Sequence, residues 1–258
     1  MNTVTFQHLS RLIKNIKEMK QVFIVLCVLL LITSISAKAQ NIVYDANAEV
    51  RTVSSFNKVK ISGALAVYIS QGKEQAVAIS SEDGKYNDKI KTEVSKGTLK
   101  ISVDGGSWNN WNWGNKEIKA YITVTEIQGL DVGGASTVKI TDPIKADNMS
   151  LDISGASGIR GEINAASLSF DISGASVAEI SGSTNSLYVE SSGASSFRGY
   201  DLTSEKCKTH ASGASGISVT VSRELEAEAT GASTIGYKGD AVITSLNVSG
   251  GSSVKKKG

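Results

Sequence analysis

Seven polar residues recur at one repeat position in the second half of the chain: Asp131, Asp152, Asp171, Glu190, His210, Glu228 and Asn247. Each stands three residues before the glycine of a repeated motif. Stacked repeats would set these side chains ~4.8 Å apart on one outer face. Carboxylates at that spacing repel, so the column favours screening or a cation. Asp131, Asp152, Asp171 and Glu190 are the candidate metal ligands, and only for weak binding. Calcium takes six to eight oxygens, usually from a loop that wraps the ion. No Gly-Gly-x-Gly-x-Asp repeat is present. The plainer reading is a solvated face, with Ser154, Ser173, Ser192, Ser212 and Ser249 beside it. As catalysts, Asp152 and Asp171 are the best acid–base pair on offer. Glycoside hydrolysis, however, needs carboxylates across a cleft, at about 5–10 Å. His210 has no nucleophile paired with it by motif, and no catalytic residue is assigned.

A second candidate is aromatic. Trp108, Trp111 and Trp113 are the chain's three tryptophans, and Asn109, Asn110, Asn112 and Asn115 surround them. Rings stack on sugar faces while amides bond hydroxyls. Trp108, Asn110, Trp111 and Trp113 therefore form a candidate contact loop for a glycan or a cell-surface protein. Gly105, Gly106 and Gly114 would let it project. The alternative is a hairpin tip folded over the end of the fold, its rings buried as a cap.

The elements that must hold these residues are set by a repeat. Gly-Ala-Ser occurs at 134–136, 155–157, 174–176, 193–195, 213–215 and 231–233, and Gly250-Gly251-Ser252 is a variant copy. The glycines step by 18 to 21 residues, a period that marks a solenoid. Around each glycine the apolar residues alternate with period two, which is the pattern of strands. One inward set precedes the glycines, from Leu130/Val132, Leu151/Ile153 and Phe170/Ile172 to Leu246/Val248. A second follows them: Val138, Ile159, Ala178, Phe197, Ile217, Ile235 and Val254. About nineteen residues at ~3.3 Å each supply two or three short strands and their turns, one rung of a β-solenoid. The serines are expected to stack as a ladder of hydroxyls that bond one another. Cys207 shares its position with Met149, Leu168, Leu187 and Leu225, so it reads as a buried, reduced and inert thiol.

Residues 40–130 are β-rich but less regular. Val59, Ile61, Leu65, Val67 and Ile69 alternate, Ser95-Lys96-Gly97 reads as a hairpin turn, and Ile61-Ser62-Gly63-Ala64 echoes the later coils. The expected division is a signal peptide at 1–39, an N-terminal cap at 40–130 continuous with the solenoid, and the repeat solenoid at 131–258. The signal rests on eleven apolar residues at 22–32, with Lys14, Lys17 and Lys20 before them and Ala37-Lys38-Ala39 after. Eleven helical residues at ~1.5 Å each cannot cross a hydrocarbon core of about 30 Å. Cleavage before Gln40 would export the chain to the periplasm, the outer-membrane surface or the medium, with no membrane span left.

The formal net charge is +2. Residues 1–39 hold five basic residues and one acidic; the remainder has 22 basic against 24 acidic, a net charge of −2. Such a chain is not built for phosphate backbones, so nucleic acid is not a partner. Two cysteines make no disulfide scaffold, and no cofactor motif is present.

The Gly-Ala-Ser coils, the alternating segment before them and the export segment together resemble the autotransporter-adhesin head GIN domain family. These are exported proteins of Gram-negative bacteria, common in the Bacteroidetes. The resemblance covers roughly residues 55–255, and Ile-Ser-Gly-Ala-Ser at 153–157 and 172–176 is its most specific element. It implies a β-solenoid and an adhesin role, and it carries no catalytic motif. Neither a translocator barrel nor a C-terminal anchor is evident, so an autotransporter mechanism is not expected. The fold expected is an all-β, single-stranded parallel β-helix of about seven coils, right-handed by analogy with parallel crossovers. The function expected is a non-catalytic exported surface or binding protein, with a homo-oligomer left open. The alternatives are a carbohydrate-active enzyme on a parallel β-helix and a structural envelope module without a ligand. A catalytic cleft would separate the enzyme from the other two.

Overall fold

A computed structural model describes residues 45–103 and 117–258. The expected signal peptide, 1–39, and the loop residues Trp108, Asn110, Trp111 and Trp113 lie outside the described residues. In chain order the first strands are β1 (Glu49–Val50), β2 (Lys58–Gly63), β3 (Ala66–Gln71), β4 (Ala76–Ser80), β5 (Ile90–Ser95), β6 (Thr98–Val103) and β7 (Lys119–Val124). Then come β8 (Gly129–Gly134), β9 (Thr137–Ile140), β10 (Ile144–Ile153), β11 (Gly158–Ile172), β12 (Val177–Ser191) and β13 (Ser196–Ala211). The last are β14 (Gly216–Ala229), β15 (Thr234–Lys238), β16 (Val242–Val248) and β17 (Ser253–Lys256). All join one sheet, wound as a parallel β-solenoid of about seven turns.

Period-two alternation drives the winding. Leu151, Phe170 and Val189 are register partners, as are Ile153, Ile172 and Ser191. All six are buried, as are Val138, Ile159, Ala178, Phe197, Ile217 and Ile235. One coil cannot remove these side chains from water; its neighbours do so, and the core grows by stacking. Phe170 and Phe197 meet inside it, with ring centroids 4.8 Å apart.

The corner requires glycine. Gly155, Gly174 and Gly193 have φ of 76°, 71° and 72°, a region costly to any residue with a Cβ. A Cβ on Gly174 would also lie 2.5 Å from the carbonyl oxygen of Gly155. The alanine that follows is exposed, and its N–H continues the ladder: Ala175 donates to the Gly155 carbonyl at 2.8 Å. The serines differ from expectation. Ser136, Ser157, Ser176, Ser195, Ser215 and Ser233 are buried, and all but Ser157 turn their hydroxyls to the backbone rather than form a mutual ladder. Ser215 donates to the Ser191 carbonyl at 2.8 Å and Ser233 to the Ala211 carbonyl at 3.0 Å. A hydroxyl inside a corner lies near carbonyls with a free lone pair, which are better acceptors than a serine one coil away. The Ser157 hydroxyl has no partner among the described residues.

The N-terminal rungs do not stack in chain order. The β2–β3 rung pairs in parallel with β8–β9 on one side and with the later β6–β7 on the other. Gly63 thereby lies beneath Gly134. The chain reverses through Lys96-Gly97, where φ is 51° and 72°, values suited to a two-residue hairpin turn. The antiparallel β5 and β4 then border β6 and β7. At the other end of the stack, Leu246 and Val248 pair in register with Ala227 and Ala229. They share that inward face but are 54% and 43% exposed, because the described residues cover this coil on one side alone.

Candidate functional site

Alternation places the polar column on the outside. Asp131, Asp152, Asp171, Glu190, His210, Glu228 and Asn247 are successive register partners. The sequence does not reveal the column's other end. Asp131 pairs across to Lys60 and Lys60 to Lys100, so the carboxylates begin beside two ammonium groups. Lys60 makes a close ion pair with Asp131. Farther along, Tyr188 donates to Glu190 at 2.9 Å, and His210 Nδ1 lies 3.3 Å from Glu228. Lys206–Glu224 and Lys208–Glu226 pair on the same two strands just before it, at 3.0 and 3.5 Å.

Asp152 and Asp171 sit between these pairings. Partial burial raises both carboxyl pKa values. Asp131 and Asp171 then add to the rise at Asp152, against a smaller opposing pull from Lys60, and Glu190 adds to the rise at Asp171. This middle stretch attracts cations by its field. Its oxygens stand in a row instead of converging, and among the described residues no group of three His, Cys, Asp or Glu is placed to hold a metal ion. The acid–base pair is likewise side by side on an open face. Burial pushes the Cys207 thiol up to about 12, so no thiolate forms there near neutral pH.

The opposite sign appears on the strands that leave the glycine corner. Tyr121, Tyr68, Lys139, Arg160, Glu179 and Arg198 are successive partners there, all on the outer face. Tyr68 and Tyr121 stack with centroids 5.3 Å apart and planes 17° from parallel. Tyr121 donates its hydroxyl to Asp45 at 2.8 Å. This ladder went unread in the sequence. Its members are 53, 71, 21, 19 and 19 residues apart, so the non-sequential rungs hide its first half. The signal that could have found it is Tyr68 itself, an outward aromatic within a clean alternating strand.

These faces define a class: a stacked β-solenoid that displays side chains in parallel rows, without a convergent catalytic pocket in the column. Residues 55–241 match the family described as "Putative auto-transporter adhesin, head GIN domain", and the chain belongs to that family. Solved structures share the fold. A putative adhesin from Bacteroides fragilis is 21% identical with a TM-score of 0.74, the match covering 81% of this chain and 96% of that one. A putative lipid binding protein from Parabacteroides distasonis is 22% identical with a TM-score of 0.60, covering 83% and 98%. A putative adhesin from Parabacteroides merdae is 13% identical with a TM-score of 0.53, covering 82% and 95%. No curated protein matches the sequence. Among the described residues, no helix is long and apolar enough to cross a membrane.

Proposed function

We propose that the chain is an exported, non-catalytic surface module that binds a glycan or a cell-surface protein. The observation that supports this best is the pairing of Asp152 with Asp171. The strongest acid–base candidates are register neighbours on one open face, where no bond can be held between them for cleavage. A display surface needs no cleft. Family membership and the relatives named adhesins favour the same reading. The division into a removed segment 1–39, a cap at 40–130 and a solenoid at 131–258 belongs to the proposal. So does the contact loop Trp108, Asn110, Trp111 and Trp113, because binding energy concentrates in aromatic anchors. Asp131, Asp152, Asp171 and Glu190 would hold a cation weakly.

The test has two parts. N-terminal sequencing of protein recovered from the cell envelope should start at or near Gln40; a mature chain that keeps residues 22–32 removes the export reading. That protein, applied to a glycan array and to intact host cells, should bind saturably. Replacing Trp108, Trp111 and Trp113 by Ala should abolish binding at an unchanged thermal midpoint. A large fall in the midpoint assigns the rings to a buried cap instead.

A further inference from the structure

Resting on that binding role, we propose that the groove beside Tyr68, Lys139 and Arg160 takes an acidic polysaccharide, with carboxylates on the two cations and a sugar ring against the tyrosine. The groove encloses about 410 Å³. Its low row is Ala66, Thr137, Gly158 and Val177, register partners with short side chains. The neighbouring row, Tyr68, Lys139, Arg160 and Glu179, stands above it as a wall. The depth therefore comes from a step in side-chain length across a flat sheet.

Charge and shape select the occupant. Two carboxylates line the groove, and each already has a cation: Glu117 lies 3.2 Å from Lys119 and Glu179 lies 3.9 Å from Arg198. Lys139 and Arg160 line it as well, both exposed and without an ion-pair partner among the described residues. They sit one rung apart, ~4.8 Å, on strands held rigidly from both sides. Two fixed charges at that spacing suit an extended chain with regularly placed anions, and a guanidinium grips a carboxylate through two parallel hydrogen bonds. Tyr121 covers one face of the Tyr68 ring, and Tyr68 alone of the pair lines the groove. A flat, half-buried ring beside cations is the surface on which a sugar packs.

An acidic peptide fits less well. A peptide strand binds by taking up unpaired backbone groups at a sheet edge. β9 is an interior strand with β3 on one side and β11 on the other, so its backbone is spent. The low row also has no deep hole for an apolar anchor.

The experiment titrates the exported protein with oligogalacturonate, with cello-oligosaccharide as the neutral chain and poly-glutamate as the anionic peptide. Oligogalacturonate should bind best, more weakly as salt rises toward about 0.5 M. Lys139→Glu with Arg160→Glu should weaken it about tenfold or more, and Tyr68→Ala comparably, while Lys139→Arg retains binding. The charge variants lie on exposed side chains, so their thermal midpoints should match the parent; should Tyr68→Ala unfold the protein, they carry the test alone. Equal binding of the neutral chain, equal binding of poly-glutamate, no oligogalacturonate binding, or charge variants that bind like the parent each overturn the proposal. If the charge variants bind oligogalacturonate like the parent while the parent adheres to glycans or cells, the groove assignment falls and the surface-binding role stands. If the parent adheres to nothing, both fall.

Discussion

The two ends of the stack solve the same problem differently. At the N-terminal end, β5 and β4 fold back antiparallel along the outermost rung. Phe56, Ile90 and Ile118 are buried there. At the C-terminal end, β16 presents Val242, Ile243, Leu246 and Val248 at 66%, 37%, 54% and 43% exposure. In a stack held by nearest neighbours, a residue's worth depends on whether rungs lie on both sides of it. Identical alternation therefore yields a closed core in the middle, a sealed surface at one end and an open one at the other.

Substitution at matched positions should expose this gradient. Ile172→Asp puts a charge between two rungs and should cost on the order of 3–5 kcal/mol. The equivalent Val248→Asp, at a site 43% exposed, should cost about 1 kcal/mol or less. Urea unfolding midpoints compare them, and equal losses would end the claim that the terminal rung is looser. Glycine gives the next largest contrast. Gly174→Ala meets both a φ of 71° and a carbonyl at 2.5 Å, which together should cost about 2–4 kcal/mol. Gly251→Ala places its Cβ 3.7 Å from the nearest backbone atom and should stay within about 0.5 kcal/mol. Thermal denaturation of both variants would separate the corner position, held by Gly174, from the alanine position after it, which Gly251 occupies in the last coil.

The smallest effect concerns the outer column. Burial and neighbouring carboxylates raise the Asp152 pKa, so the folded state binds its proton more tightly than the unfolded chain. Stability from this group is present below the unfolded value and is lost as pH rises through the folded one. Asp152→Asn should therefore match or slightly exceed the parent at pH 7, and the gap should close on acidification below the ordinary carboxylate range. A neutral-pH loss would mean that Asp152 makes an attraction the column does not reveal.

Much of this architecture is legible in the sequence because a solenoid reports itself through its period. The glycine step locates every corner from Gly134 onward, and alternation assigns Ile153, Ile172 and Asp152 to their sides. Alternation cannot say which rung lies on which. Leu99/Ile101 and Leu130/Val132 are equally fit partners for Val59/Ile61, and the structure uses both, one on each side. Lys60 beside Asp131, and Tyr68 beside Lys139, follow from that choice, so the site's electrostatics stayed hidden. The serine direction was hidden for another reason: a hydroxyl is polar whether it meets water or a corner carbonyl.

The irregularities in the ladder have a consequence for how the protein can change length. Between β12 and β13 the register slips after Glu179, and between β13 and β14 after Gly199 and Ser204. The last few residues before the glycines keep their partners: Ser191 over Ala211, Ala211 over Ala229, Ala229 over Val248. One side of the molecule thus works as a ruler while the far side absorbs spare residues. Excising or duplicating one unit, such as residues 156–174, would leave a seam like every existing corner. The rows of charge would then shorten or extend by a single mark of ~4.8 Å. Reach, on this scaffold, can be inherited in whole increments while both ends keep their design.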